Sequence, residues 1–390
     1  MRILWVATKP PWPPVDGGRL AAARTLRALA AGGHEITLVA PASRRAAAAA
    51  DATGRAWVEP RWVICRRRPL VFDLVRRALG RRPLTIVRHA RRAVAAEVDR
   101  QLAGEPFAIV HAEQVQAMAQ TGAAARHGVP VVLRAQNVES ELWTALAVFR
   151  GPLARRLLRL EARRLAACEG AAVRRAAATV ALTTPDAERL TALAGGAIVH
   201  AVPVPFPASF PAGPSLPGRP AVVLFGSRGW APNRDQERWF RSAAWPAVHA
   251  AAPEAILHVF GGESAAGPGV EAHPAPADSV DAFPAGGILV VPLRVAAGLR
   301  MKILEAWSRG LPVVATPQAA AGLEATAGRE LLLAATPGEF AAAIVRLRDD
   351  PALATDLVAA GRALLVERHD PVEVTVQLET VYRRATRPAR

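Results

Sequence analysis

The stretch Gly298-Leu-Arg-Met-Lys-Ile-Leu-Glu-Ala-Trp-Ser-Arg-Gly-Leu-Pro-Val-Val-Ala-Thr316 carries the strongest fold signal in the chain. The apolar run just before it, residues 288–293, has the composition of a buried strand, and residues 300–309 follow helical periodicity. Gly310 is a helix-stop signal, and residues 312–316 begin another strand. This order of strand, loop, helix and strand predicts a parallel α/β sheet.

The charges at the start of this predicted helix destabilise it unless an anion binds there. Arg300 and Lys302 fall in its first turn, where the helix dipole is already positive and each cation costs about 0.3–1 kcal/mol. An anion reverses that cost, because backbone N–H groups and both side chains share its charge. Glu305 lies on the same face as Lys302 and can accept from nearby hydroxyls. The pattern fits a nucleoside diphosphate; the alternative is a Lys302–Glu305 surface salt bridge.

Lysine is rare in this chain, which carries 49 basic residues but only two lysines, Lys9 and Lys302. Asparagine is as rare, occurring only at Asn137 and Asn233. The lysine ammonium is a compact charge on a flexible stem, so it can adjust to the position of a phosphate, whereas the arginine guanidinium is wide, planar and rigid. The presence of lysine in the helix start therefore strengthens the prediction of an anion site.

Length and composition predict a globular protein of two domains. The chain has 390 residues, and seven prolines between positions 203 and 220 indicate a semi-rigid linker. We expect no signal peptide, because no basic leader precedes a long apolar core, and no membrane-spanning segment, because no run of about 18 uninterrupted apolar residues occurs. Cys65 and Cys168 match no metal-binding spacing, so we expect free, buried thiols in a cytosolic protein.

The net charge of +16 comes entirely from the first half of the chain. Residues 1–205 hold 31 basic and 15 acidic side chains, whereas residues 206–390 hold 18 of each, and residues 61–100 alone carry 12 arginines. This patch indicates an anionic partner, such as a phospholipid surface, nucleic acid or an acidic acceptor; the alternative is a solvated face. Its arginines are not interleaved with aromatic residues, which disfavours nucleic acid.

Polar residues near predicted strand ends supply further candidates. In an open α/β sheet, ligands gather at the carboxyl ends of the strands. A proline loop follows the first strand and ends at Gly17-Gly18, before a helix predicted from about residue 19; the alternative is a tight connection with no ligand. A lone histidine at a strand end is as often structural as functional. The candidates from this loop and from two later strand ends are Lys9, Trp12, His111, Glu113, Gln136, Asn137 and Glu139.

The motifs resemble those of the retaining family 4 glycosyltransferases with the GT-B fold, over nearly the full chain. The most specific match is the stretch from Gly298 to Thr316, followed by Gly322-Leu. The supporting matches are Pro14-x-x-Gly17-Gly18, Gln136-Asn-Val-Glu-Ser140, Thr183-x-x-Asp186, and Phe225-Gly-Ser with Trp230-x-Pro-Asn233.

The resemblance implies an α/β architecture of two doubly wound, Rossmann-like domains that face a cleft. Residues 1–205 would bind the acceptor and residues 206–368 the nucleotide-sugar, while residues 369–390 would form a helix that crosses back to the first domain. The implied reaction is transfer of a hexosyl-type sugar with retention of the anomeric configuration. Neither a metal ion nor another cofactor is expected, with the nucleotide-sugar acting as co-substrate.

The resemblance also implies roles for individual residues. Arg300 and Lys302 would hold the diphosphate, and Glu305 the ribose hydroxyls. The implied catalytic residues are Arg300, Lys302 and His111. The implied donor-binding residues are Gly17, Gly18, Gly226, Gly298, Leu299, Arg300, Lys302 and Glu305. The candidates on the acceptor side are Lys9, Trp12, Glu113, Gln136, Asn137 and Glu139.

The chain departs from the family pattern at four places. Ala297 stands where many members carry a second glutamate, and Val204-Pro205 replaces a common Asn-Gly. Glu113 replaces the second histidine of a His-x-His strand end, and Gln136 stands where related proteins often have histidine. Nucleotide binding is expected to survive these changes, but the donor sugar and the activity stay open.

Several alternatives therefore remain open. The chain could be a non-catalytic binder, a donor-modifying enzyme such as an epimerase or phosphorylase, or a transferase acting on a nucleic-acid acceptor. For a transferase, the acceptor can be a small molecule, a lipid-linked molecule or another anionic compound. We expect a cytoplasmic protein, with residues 61–100 offering a peripheral contact to the inner face of the membrane.

Overall fold

A computed structural model shows two compact units, each defined by its internal contacts. The first comprises Met1–Pro205, residues 298–299 and the final helix, and the second comprises the remainder from Phe206 to Asp370. The structure describes residues 1–54, 56–66, 69–78, 80, 82–227, 229–261, 267–276, 278–295 and 298–387.

The first unit is built on a seven-stranded parallel sheet with the strand order β3-β2-β1-β4-β5-β6-β7. Side chains alternate between its two faces, so Leu4 and Val6 enter one apolar layer while Ile3 and Trp5 enter the other. Both faces are covered, as parallel sheets require. The strands are β1 (Arg2–Val6), β2 (Glu35–Ala42), β3 (Glu59–Ile64), β4 (Ile109–Glu113), β5 (Val131–Ala135), β6 (Ala178–Ala181) and β7 (Val199–Ala201).

Helices connect these strands, as parallel pairing demands. They are α1 (Gly17–Ala31), α2 (Arg44–Gly54), α3 (Leu70–Ala78), α4 (Leu84–His89), α5 (Arg92–Gly104), α6 (Glu139–Leu146), α7 (Pro152–Arg175) and α8 (Thr184–Leu193).

The second unit contains a six-stranded parallel sheet with the order β10-β9-β8-β11-β12-β13. Its strands are β8 (Ala221–Phe225), β9 (Ile256–Phe260), β10 (Val270–His273), β11 (Ile288–Val291), β12 (Val313–Ala315) and β13 (Leu332–Leu333). Its helices are α9 (Ala231–Trp239), α10 (Trp245–Ala251), α11 (Met301–Arg309), α12 (Pro317–Ala320), α13 (Pro337–Asp349) and α14 (Pro351–His369). The last helix of the chain, α15 (Pro371–Ala385), packs within the first unit against α1, β5 and β6.

The predicted parallel α/β class is confirmed, and the Gly298–Thr316 stretch forms the loop, α11 and β12. Gly310 ends α11 in the left-handed conformation, with φ 83° and ψ 28°, which a glycine adopts without strain. The preceding strand is shorter than predicted and ends at Val291. Cys65 and Cys168 are free but only half-buried, so the prediction of buried thiols is wrong in that respect. Within the described residues, no helix is long and apolar enough to cross a membrane.

Candidate active site

Two cations stand at the start of α11 in the second unit. Arg300 immediately precedes the helix and Lys302 lies in its first turn, which contains no acidic residue. Arg300 is largely buried, and its Nε donates to the Ala319 carbonyl at 2.8 Å. The Lys302 ammonium donates to the Phe225 carbonyl at the end of β8. Backbone carbonyls thus position both cations beside a helix N-terminus.

Lys302 is held in an environment that disfavours its charge. Burial lowers its pKa from an ordinary 10.5 to about 8. Its Nζ lies 5.8 Å from the centroid of the Phe225 ring, and across the described part of the chain no carboxylate pairs with it. An ammonium that loses water without gaining a counter-charge is unstable in its protonated form. A phosphate oxygen would supply the missing counter-charge.

Glu305 lies on the same helix but does not pair with Lys302. Its Oε1 accepts from Ser279 Oγ at 2.5 Å and from Arg309 Nε at 3.0 Å, and the side chain is almost fully buried. The alternative of a Lys302–Glu305 surface salt bridge is therefore wrong. Among the described residues, none donates to Glu305 Oε2, which leaves that oxygen as an acceptor for hydroxyl groups.

Gly226 begins the loop that follows β8. A Cβ added at Gly226 would lie only 2.7 Å from Cγ of Asn233 in α9, so no larger residue fits without a shift. Asn233 Nδ2 in turn donates to the Ser227 carbonyl at 3.0 Å. This close packing holds the loop beside the Phe225 carbonyl that accepts from Lys302.

In the first unit, a buried polar network lies at the carboxyl end of β4. The His111 ring is fully buried and stacks on Trp5 with the ring centroids 3.6 Å apart. Its Nδ1 is 2.7 Å from the Tyr382 hydroxyl of α15, and its Nε2 is 3.1 Å from Glu113 Oε2. These neighbours enclose the ring and pair both of its nitrogens, so in this structure His111 serves to tie β4 to α15. The catalytic role of His111 stays a prediction.

Glu113 continues this network to the start of α1. It accepts from Arg134 at 3.0 and 3.2 Å and from Gln136 Nε2 at 2.5 Å. Burial alone would raise the pKa of Glu113, but the Arg134 charge and the hydrogen bonds outweigh burial and lower it. Gln136 also donates to the Gly18 carbonyl at 2.9 Å. Glu113 and Gln136 therefore position the first turn of α1, and Glu113 has little surface left for an acceptor.

The first loop differs from its predicted arrangement. Both Gly17 and Gly18 lie in the first turn of α1, which starts earlier than predicted because the Asp16 side chain caps it through Arg19 N–H at 2.9 Å. Lys9 Nζ is paired with Asp16 at 2.8 and 3.0 Å.

Trp12, also in that loop, is only 7% exposed and packs on Gly54. A Cβ added at Gly54 would lie 2.4 Å from the indole ring. The Trp12 ring belongs to the apolar core of the first unit, and its contact with an acceptor stays a prediction.

The start of α6 brings in a residue that sequence reasoning missed. The N–H groups of Glu139 and Ser140 donate to the Glu169 carboxylate of α7 at 2.6 and 3.2 Å. Burial raises the pKa of Glu169 to about 7 and also raises the pKa of Glu139. Glu139 is itself largely buried, so it offers little to an acceptor. An acidic residue inside a predicted helix gives no sequence sign that it caps another helix.

Gly298 lies close to the end of β5 within the first unit. Its φ of +68° is strained for any other residue, and an added Cβ would lie 3.0 Å from the Gln136 carbonyl and 3.1 Å from Asn137 Cβ. Two independent constraints therefore require glycine here. Leu299 beside it is half-buried. Ala297, which replaces the usual glutamate, lies outside the described residues.

Comparison with known proteins gives the class of the chain. Residues 16–207 match the model of a glycosyl transferase 4-like domain, and residues 219–350 match that of the glycosyl transferases group 1. No curated protein is significantly similar in sequence. With one glycosyltransferase domain in each half, the chain belongs to the glycosyltransferases.

Solved structures confirm the predicted GT-B fold. Sucrose-phosphate synthase from Thermosynechococcus elongatus superposes with a TM-score of 0.67 at 15% identity, covering 98% of both chains. Anabaena HepE in complex with UDP-glucose gives 0.65 at 15% identity, over 97% of this chain and 98% of its own. A Rickettsia africae glycosyltransferase gives 0.64 at 10% identity, over 100% and 99%.

Proposed function

We propose that this glycosyltransferase moves a hexosyl-type sugar from a nucleotide-sugar donor to an acceptor with retention of the anomeric configuration. The observation that carries the proposal is Lys302, which is held at a helix N-terminus, is partly desolvated, and has no carboxylate partner among the described residues. The Anabaena neighbour was solved with UDP-glucose and with UDP, which supports the same donor class here.

In this proposal the second unit binds the donor diphosphate. Arg300, Lys302 and the N-terminal end of α11 would share the charge of one bound phosphate, and Glu305 Oε2 would accept from the ribose hydroxyls. The departing diphosphate gains negative charge in the transition state. Cations already fixed at that position stabilise it without reorganising during the reaction.

The acceptor proton needs a destination, and both nitrogens of His111 are already paired, with Tyr382 and with Glu113. We propose that the leaving phosphate oxygen accepts this proton on the face where the acceptor attacks. The C–O bond to the diphosphate breaks, the bond to the acceptor oxygen forms on the same face, and the proton moves to the phosphate. This route needs neither a metal ion nor another cofactor.

We assign acceptor binding to the first unit. A small concavity there is lined by Lys9, Gly18, Arg19, Gln114 and Gln136. The exposed backbone at Gly17 can be approached closely by a phosphate or a sugar, because glycine has no side chain. At Gly18 that space is filled by Gln136, whose Oε1 would lie 2.6 Å from an added Cβ. The hydrogen bond from Gln136 fixes the Gly18 carbonyl, so this surface is preorganised.

An exposed apolar surface on α3 and α7 favours one kind of acceptor, a lipid-linked molecule in a membrane. Leu70, Val71 and Phe72 of α3 are 50–70% exposed, and Leu153, Leu157 and Leu160 form an exposed stripe along α7. An ion pair between Arg77 and Glu161 joins the two helices. Arg76 of α3 lies 6.0 Å from the centroid of the Phe72 ring, so a cation borders this apolar surface, a combination typical of proteins that bind anionic bilayers. Co-sedimentation with anionic but not zwitterionic vesicles would support this variant, and no binding to either would remove it.

Thermal unfolding with UDP, GDP, ADP, TDP and CMP tests the donor proposal. We expect one nucleotide to stabilise the wild type by about 2.7 kcal/mol at about 100 times its dissociation constant. Lys302→Ala should abolish the shift. Arg329→Ala, which removes an exposed cation of the same unit, is the matched control and should keep it.

Turnover separates the remaining alternatives. Sugar transfer to an acceptor supports the proposal, whereas a donor that changes without any acceptor indicates an epimerase. Nucleotide binding with no turnover on any acceptor indicates a non-catalytic binder. Steeply salt-dependent oligonucleotide binding would point to a nucleic-acid acceptor. If no nucleotide stabilises the wild type, the donor assignment fails.

A further inference from the structure

Three potential metal ligands meet at the β9–β10 edge of the second unit, away from α11. His258 of β9 stands opposite Glu271 of β10 in the parallel register, and His273 is two residues further along β10 on the same face. His258 Nδ1 lies 2.9 Å from His273 Nε2 and 3.4 Å from Glu271 Oε2, and His273 Nε2 lies 4.0 Å from Glu271 Oε2. All three ligand atoms therefore converge on one point.

The spacing of these atoms suits a tetrahedral ion. Zinc bonds of about 2.0–2.1 Å at tetrahedral angles place neighbouring ligand atoms about 3.3 Å apart. The three observed distances lie on both sides of that value. A small rotation of the Glu271 side chain, which is nearly half exposed, would even them out. Two imidazoles and one carboxylate are also the ligand types that Zn²⁺ accepts.

The surroundings orient His258 for ligation. Its Nε2 lies 2.8 Å from the Pro217 carbonyl, which can only accept, so Nε2 carries a proton and the lone pair of the neutral ring is on Nδ1. Metal-bound histidines typically donate their second N–H to a carbonyl or carboxylate in this way. His258 is fully buried, and His273 stacks on Phe260 with centroids 4.4 Å apart, so neither ring turns freely.

We propose that His258, Glu271 and His273 bind one divalent transition-metal ion, with Zn²⁺ as the best match and water as the fourth ligand. The exposed carboxylate leaves the site accessible from solution. Because β10 is the outermost strand of its sheet, the ion fastens that strand to β9. Through the Pro217 carbonyl it also fixes the proline-rich segment that precedes β8. This role is structural and independent of sugar transfer.

Cobalt spectroscopy on the full chain, freed of tags and treated with a chelator, tests the site. One equivalent of Co²⁺ should produce visible d–d absorption that Zn²⁺ then displaces. Since changes even to residues behind the ligands weaken metal sites about 10–100-fold, His273→Gln and Glu271→Gln should weaken binding at least that much. The matched control is His127→Gln, which removes a histidine of the first unit that is paired only with Asp99 among the described residues. Its affinity should equal that of the wild type.

Two results would overturn the proposal. One is a wild type that gives no absorption and no thermal stabilisation by Zn²⁺, which would leave His258 and His273 as a hydrogen-bonded pair only. The other is equal Co²⁺ affinity in His273→Gln and the wild type. Circular dichroism and the nucleotide-induced thermal shift show whether each variant is folded. Glu271→Gln retains the His258–His273 hydrogen bond, so its loss of Co²⁺ binding reports ligation rather than unfolding.

Discussion

Replacing Lys302 with Met should stabilise the unliganded protein while abolishing its response to nucleotide. The pKa of Lys302 is lowered from 10.5 to about 8, and a difference of about 2.5 in pKa corresponds to roughly 3 kcal/mol at pH 7. Methionine has a similar length and carries no charge to desolvate. The variant loses one hydrogen bond, worth about 1 kcal/mol, but the Phe225 carbonyl still accepts from Gln236 at 3.3 Å. The net gain is about 2 kcal/mol.

The pH dependence of this gain follows from the lowered pKa. Between about pH 8 and 10.5 the unfolded chain holds a proton on Lys302 that the folded chain has released, so wild-type stability rises with pH across this window. Below about pH 8 the full cost of the buried charge is present. The advantage of Lys302→Met should therefore be largest at pH 7 and should shrink toward pH 10.5.

Calorimetric unfolding at several pH values, with and without the stabilising nucleotide, measures both effects. For a unit of this size, about 2 kcal/mol corresponds to a Tm increase of about 4–8 °C. Lys9→Met is the matched control, because Lys9 is the only other lysine and is ion-paired with Asp16. Its loss should cost at most about 1 kcal/mol. Either of two results would refute this reasoning: a Lys302→Met protein that is less stable than the wild type at pH 7, or a Tm difference between the two proteins that is the same at all pH values.

Three further predictions concern the first unit. Glu113→Gln should cost about 3–5 kcal/mol in urea unfolding by leaving Arg134 buried and uncompensated, and Glu113→Gln with Arg134→Met should recover much of that loss. Wild-type stability should carry a component that falls as pH rises from about 4.5 to about 7, where folded Glu169 holds a proton that the unfolded chain releases; Glu169→Gln should remove this component from the pH profile of Tm. Gly298→Ala should lower turnover and cost about 1–3 kcal/mol through its positive φ, whereas Gly286→Ala, with a similar φ and open space, should cost stability but keep turnover.

The parts of the fold that could be predicted are those encoded by local signals. Residues 298–316 contain, in order, a helical period, a glycine that ends the helix and an apolar strand. Each of these signals depends only on residues that are close together in the chain. Strands β10 and β13 were missed because they are short edge strands of four and two residues, whose pairing depends on neighbours distant in sequence. The His258–Glu271–His273 cluster was missed with β10, although Glu-x-His on a strand places both side chains on one face.

The site was predicted less completely, because burial is a tertiary property. His111 and Trp12 are residue types that serve equally in cores and in sites, and only packing against Trp5 or Gly54 decides between the two. The positions of Arg300 and Lys302 could be predicted, because the unfavourable interaction of a cation with a helix N-terminus depends only on residues near it in the chain. The partners that enclose His111 come from β1, β4 and α15, and Tyr382 of α15 is 271 residues from His111 in the chain.

Two departures from the family pattern, Glu113 and Gln136, belong to one arrangement. Arg134 is buried beside them and requires a negative neighbour, which a histidine at position 113 would not provide. Gln136 then fits where a histidine is common, because its amide donates to both Glu113 and the Gly18 carbonyl. The charge of Arg134 is therefore a structural reason for Glu113. A histidine introduced at position 113 alone would lower stability, so the presence of Glu113 does not favour a non-catalytic protein.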